Sequence, residues 1–129
     1  MLDVALLPEE YAVCRLPAGS PVPPGLLGAP AQSGVLSVTW TAEEMSIICR
    51  ADRVPADAVV ETPWRCLRVV GPLHLALTGI LASLVVPLAE ARVNILAFST
   101  YDTDYLLVPS VRLPEALATL VRAGHRLAT

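Results

Sequence analysis

Two short stretches of the chain combine residue types and spacing suited to holding a small polar molecule. The first runs from Gly71-Pro72-Leu73-His74 to Thr78-Gly79-Ile80, between an apolar run that reads as a strand and one that reads as a helix. A loop that ends a strand and opens a helix offers backbone N–H groups with no partner inside the helix, at the positive end of its dipole, and so suits a carboxylate. Gly71 and Gly79 permit close backbone approach. The second stretch, Ser99-Thr100-Tyr101-Asp102-Thr103-Asp104, supplies acceptors for an α-amino group, with Asp102 preferred to Asp104. The candidate ligand-contacting set is Gly71, Pro72, Leu73, His74, Thr78, Gly79, Ile80, Ser99, Thr100 and Asp102. Turn chemistry accounts for many of the same residues, since glycine follows strands and Asp side chains bond local backbone. His74 is read either as a donor to a ligand or as a solvated surface residue, and His125 as a partner of a helix C-terminal dipole.

Signatures of catalysis are missing: there is no GxSxG, P-loop, GxGxxG or HExxH, and no Cys/His pair at ligand spacing. Asp102 and Asp104 as a metal pair need further carboxylates, and none lies near in sequence. The expectation is a non-catalytic protein without metal or cofactor. The nine basic residues are all arginine, scattered singly from Arg15 to Arg126, so nucleic acid is not an expected partner. Cys14, Cys49 and Cys66 lie in apolar stretches with no CxxC spacing and read as reduced, buried thiols of a cytoplasmic protein. Met1 to Leu7 carries Asp3 and no basic flank, unlike a signal peptide. The apolar stretch Leu75 to Ala89 is shorter than the roughly 20 residues a membrane span needs, contains Gly79 and Pro87, and reads as a core helix. Apolar residues make up 54% of the chain and charged ones 16%, more than a monomer of this size needs for its core, which points to a subunit interface. Trp40 and Trp64 read either as an aromatic wall for a ligand or as packing at a module junction.

The elements that must position these residues follow from periodicity and breakers. Tyr11 to Leu16 reads as a strand, followed from Pro17 to Gly34 by a loop too rich in proline and glycine for a helix. Val35 to Thr41 and Met45 to Arg50 read as a hairpin, and Ala51 to Pro63 as a connector with a helical turn near Ala56 to Val59. Trp64 to Val70 is a strand, ended by Gly71-Pro72. After a turn from Leu73 to Leu77, Thr78 reads as the cap of a helix to about Ala91, with a kink or early stop at Pro87. Asn94 to Tyr101 and Tyr105 to Val108 form a second hairpin. Pro114 begins a helix that Gly124 closes, and His125 to Ala128 adds an edge strand. The second half is thus βαββα with a further strand, the ferredoxin-like plan, and the first half repeats that order with its first helix replaced by the Pro/Gly-rich loop.

The segments Trp64 to Leu73, Leu77 to Leu84 and Ser99 to Val108 resemble those of bacterial ACT-domain proteins of the small tandem type; the first half is similar more loosely, through Tyr11 to Pro17, Ser37 to Thr39 and Ser46 to Cys49. His74 departs from the pattern, which puts an acidic or other polar residue after Gly-Pro-Leu. The resemblance implies an α+β fold of two ferredoxin-like (βαββαβ) ACT modules in tandem, residues 1–62 degenerate and residues 63–129 complete. It also implies modules that associate side by side, as in a homodimer, and hold amino acids or similar small effectors between them, for allosteric regulation or sensing. The alternative is a structural module that assembles with itself or a partner enzyme and binds no ligand.

Overall fold

Among the described residues, runs of β-branched and apolar residues build seven strands, and two stretches with a 3.6-residue apolar period build the α-helices. The computed structural model describes residues 1–26, 34–74 and 78–128. In chain order the elements are β1 (Asp3–Pro17), β2 (Ser37–Trp40), β3 (Glu44–Arg50), β4 (Val59–Val69), α1 (Ile80–Glu90), β5 (Leu96–Ser99), β6 (Asp104–Pro109), α2 (Leu113–Arg122) and β7 (Arg126–Ala128). The fold is α+β. The chain divides into two compact units, one of residues 8–64 and the other of residues 1–7 with 65–129, so β1 and β4 each give residues to both.

Within the unit of residues 8–64 the strand order is β2-β3-β1-β4. Strands β1 and β3 pair antiparallel from Tyr11↔Arg50 to Pro17↔Glu44, and β2 pairs with β3 from Ser37↔Ile48 to Trp40↔Met45. Alternation puts Ala12, Cys14 and Leu16 on one face of β1, where they pack with Met45, Ile47 and Cys49 of β3 and with Leu26. All three cysteines are buried and stand outside any disulfide. Cys14 faces Ile47 and Cys49 faces Ala12 across the ladder, so the two cysteines are diagonal neighbours, an offset at which Cα atoms stand about 7–8 Å apart. That is too far for an unstrained disulfide.

In the other unit the order is β7-β1-β4-β6-β5, with Asp3–Ala5 of β1 parallel to Arg126–Ala128 and β5 antiparallel to β6. Its core joins Val4, Leu67, Val69, Leu106 and Val108 of the strands to Leu84 and Leu88 of α1 and Ala116 and Leu120 of α2. Each fully buried leucine there contributes about 1.5–3 kcal/mol of hydrophobic stabilisation. Arg126 clamps the β1–β7 edge, its Nε and Nη2 donating to the two Asp3 carboxylate oxygens at 2.7 and 2.9 Å.

Several expectations are corrected. The first strand begins at Asp3 rather than Tyr11 because its early residues pair with β7, a partner more than a hundred residues away. The single 3₁₀ turn of the connector lies at Ala51–Arg53, not at Ala56 to Val59, and β4 begins at Val59 and runs through Pro63. In this unit β4 is the last strand of the order, where a missing N–H need cost no ladder bond. Helix α1 is capped not by Thr78 but by Gly79, whose φ of 79° is left-handed and whose neighbour Ile80 is the first helical residue. The loop residues 27–33 and the turn residues 75–77, Leu77 among them, lie outside the described residues. Trp40 is 55% exposed and so is not a buried anchor.

Pro87 neither stops nor ends α1, which continues to Glu90 with the Ala91 N–H on the Pro87 carbonyl at 3.0 Å. The ring deprives the Ser83 carbonyl of its helical donor. His125 replaces that donor: its Nε2 lies 2.9 Å from the Ser83 oxygen, while its Nδ1 accepts the Leu2 N–H at 3.2 Å. An accepting Nδ1 puts the proton on Nε2, so both ring nitrogens are satisfied in one neutral tautomer. His125 therefore mends a helix interior, in place of the expected role at a helix C-terminus.

Candidate functional site

The site is assembled where β4 ends, α1 begins and the β5–β6 turn folds over, all in one compact unit. Pairing of Ser99 with Asp104 leaves four residues for the turn. Thr100 closes it, its N–H donating to the Thr103 carbonyl at 2.9 Å and its hydroxyl reaching the same oxygen at 3.4 Å. Thr103, only 6% exposed, donates its hydroxyl to the Val69 carbonyl at 2.6 Å and so pins the turn to the end of β4. The Leu73 N–H donates to the Asp102 carbonyl at 2.7 Å, tying the loop after β4 to the same turn. Gly71 makes this approach possible: a Cβ there would lie 3.0 Å from the Leu73 nitrogen and 3.2 Å from the Asp102 oxygen.

Between these walls lies a cleft of about 200 Å³, lined by Leu73, His74, Ile80, Ser99, Thr100, Tyr101, Asp102, Thr103 and Asp104. The two stretches singled out in the sequence are therefore brought together. Leu73, His74, Ile80, Ser99, Thr100 and Asp102 line the cleft; Gly71, Pro72, Thr78 and Gly79 do not, though Gly71 shapes its back wall. One expectation is narrowed. The backbone N–H of Leu73 is consumed within the fold, and at the start of α1 Ser83 is, among the described residues, the first to donate back, to Gly79 at 3.0 Å. Sequence reasoning passed over Thr103 and ranked Asp104 below Asp102. The signal was strand parity: Asp104 faces Ser99 across the ladder and accepts its hydroxyl at 2.6 Å. Beyond them Phe98 and Tyr105 stack with ring centroids 5.2 Å apart.

Chemically the cleft combines a helix start, hydroxyls and two carboxylates. The Asp102 side chain takes no hydrogen bond among the described residues, whereas its carbonyl is engaged by Leu73. Among the described residues no three His, Cys, Asp or Glu side chains gather to hold a metal ion, and no helix is long and apolar enough to cross a membrane.

The fold, a mainly antiparallel sheet with two helices, is also that of the regulatory subunit of aspartate kinase from Thermus flavus: TM-score 0.63 at 15% identity, covering 93% of this chain and 95% of that one. Protein Atu0741 from Agobacterium tumefaciens matches more tightly, with TM-score 0.87 and 36% identity over 98% of this chain and 92% of that one. A family model described as an ACT domain matches residues 59–122, and a separate model of an N-terminal domain matches residues 9–57. The chain belongs to the ACT-domain proteins. Among curated relatives, the cytosolic arginine sensor for mTORC1 subunit 1 of Bos taurus is 39% identical over 69 residues, 50% of this chain and 21% of that protein. The chain thus spans about a fifth of that relative's length.

Proposed function

We propose that this protein is a non-catalytic, cytoplasmic regulator that binds an amino acid in the cleft between the start of α1 and the β5–β6 turn. The observation that carries the reading is the convergence of two separated polar stretches on one cleft of about 200 Å³. Backbone N–H groups at the head of α1 receive the carboxylate, with Thr78, Gly79 and Ile80 shaping that end. Ser99, Thr100 and Asp102 receive the α-amino group, and His74 with Leu73 borders the side chain. The arginine-sensing relative and the regulatory subunit of aspartate kinase agree with amino-acid regulation.

The reading takes residues 1–62 and 63–129 as tandem modules of one plan, the first with its helix replaced by the Pro/Gly-rich loop. The two hairpins support it. Trp40↔Met45 and Ser99↔Asp104 each enclose four turn residues. The N–H of Thr41 meets the Glu44 carbonyl at 2.9 Å, as that of Thr100 meets Thr103 at 2.9 Å. It further expects a homodimer in which a module of the second copy covers the cleft. Calorimetry of the full chain against the twenty amino acids, with native mass spectrometry for oligomeric state, tests it. Saturable binding by an amino acid, lost in Gly71→Val, is the expected result; silence with all twenty would leave an assembly module without a ligand.

A further inference from the structure

Resting on that reading only in taking the cleft as the ligand site, we propose that the edge formed by β1 and β7 is a regulatory brace. It is joined to both walls of the cleft, so loosening the edge loosens the cleft, and filling the cleft tightens the edge. All of the residues involved belong to one compact unit. Leu2 and Asp3 are the points of attachment. Leu2 is held twice, its N–H by His125 Nδ1 at 3.2 Å and its carbonyl by the Arg126 N–H at 2.8 Å.

One branch runs to the helix wall. His125 Nε2 meets the Ser83 carbonyl at 2.9 Å. Ser83 in turn donates its N–H to the Gly79 carbonyl at 3.0 Å and its hydroxyl to the Ile80 carbonyl at 2.7 Å, and Ile80 lines the cleft. Because Pro87 removes the helix's own donor to Ser83, the imidazole sets how the first turn sits on the rest of α1. The other branch runs to the wall made by the loop and the turn. The Asp3 carbonyl accepts the Val70 N–H at 2.8 Å, immediately before Gly71, and the Val69 carbonyl accepts the Thr103 hydroxyl at 2.6 Å. The end of β4 is thus tied both to the edge and to the turn. The edge itself is the part most easily opened, since β7 has three residues and its Arg126–Asp3 pair is solvent-exposed. Coupling between such an edge and a binding cleft acts equally in both directions.

Amide hydrogen exchange of the full chain, read by NMR, tests the brace without any ligand. Arg126→Ala cuts the pair with Asp3 and touches neither wall. It should speed exchange of the Leu73 and Thr100 amides about tenfold and leave unchanged the Val93 amide, which bonds the Leu88 carbonyl at the far end of α1. Equal acceleration of all three would overturn the proposal, as would acceleration confined to the amides of positions 2 and 126. Two variants of the imidazole test the helix branch. His125→Gln keeps a donor near the Nε2 position, and His125→Asn keeps an acceptor near the Nδ1 position. The Ser83 amide should exchange faster in His125→Asn than in His125→Gln, and the Leu2 amide the reverse; the same order at both amides would overturn the branch. An equimolar mixture of the twenty L-amino acids then gives the reciprocal reading, with exchange at Leu2 and Arg126 slowed about tenfold. Protection of Leu73 and Thr100 without protection of the edge would overturn the brace and leave the amino-acid reading intact. Protection nowhere would remove the amino-acid reading, and the ligand-free exchange would still decide the brace.

Discussion

A methyl group on Gly71 would meet the Leu73 nitrogen at 3.0 Å, the Asp102 oxygen at 3.2 Å and the Thr103 Cβ at 3.3 Å. Two of these are backbone atoms that cannot swing aside, so Gly71→Ala must part the loop from the turn. The expected cost is about 1–3 kcal/mol, read from urea denaturation, with loss of ligand binding because the cleft walls separate. Gly79→Ala differs in kind. Nothing lies within 4 Å of its Cβ position, and only the left-handed φ of 79° resists substitution, at about 1–2 kcal/mol. Its cleft should survive and bind ligand in the molecules that fold, so a ligand-binding assay separates the two variants where stability alone does not. In the sequence the two glycines looked alike, each beside a predicted element boundary. What tells them apart is the turn that arrives at Gly71 some thirty residues later, and no local pattern encodes that arrival.

At the scale of elements the informative case is α1. Its apolar period, through Leu84 and Leu88, was legible from spacing alone. Its passage through Pro87 was not, because the compensating donor is a histidine beyond the end of the other helix. His125→Ala should leave the Ser83 carbonyl and the Leu2 N–H without their partners, at a cost of about 2–4 kcal/mol. Pro87→Ala restores the helix's own N–H to Ser83. In the Pro87→Ala background the same His125→Ala change should therefore cost about 1 kcal/mol less, a coupling read from a double-mutant cycle in urea. Equal costs in both backgrounds would mean that the histidine serves Leu2 alone. The start of α1 shows a similar limit. Thr78 has the chemistry of a cap, but Gly79 takes the position through a backbone angle that Thr cannot adopt cheaply.

Over the whole molecule, what the sequence carried was the α+β class, the order of strands and helices after Tyr11, and the buried thiols; each is written in local periodicity and composition. The strand at Asp3 to Leu7 was hidden because Pro8-Glu9-Glu10 interrupts its alternation and its register is set by β7 at the far end of the chain. That closure of the two ends also shapes the response to pH. The Arg126 hydrogen bonds hold the Asp3 carboxyl below its ordinary 3.8, and Arg50 does the same for Asp52. Both folded carboxylates bind protons less readily than unfolded ones, so their stabilisation is present above pH 3.8 and lost as pH falls further. The sign reverses for the thiols. Burial pushes Cys49 from 9.0 up to about 12, with Cys14 beside it adding to the shift, and burial raises Cys14 as well. The folded state keeps protons that the unfolded chain releases, so stability is full below pH 9 and declines as pH rises from there toward about 12. Urea midpoints should form a plateau between about pH 5 and 8 with a fall on either side. Asp3→Asn should flatten the acid side and leave the alkaline side alone, and Cys49→Ala should do the reverse. If Asp3→Asn left the acid fall unchanged, the clamp between the chain's two ends would be contributing nothing to folding.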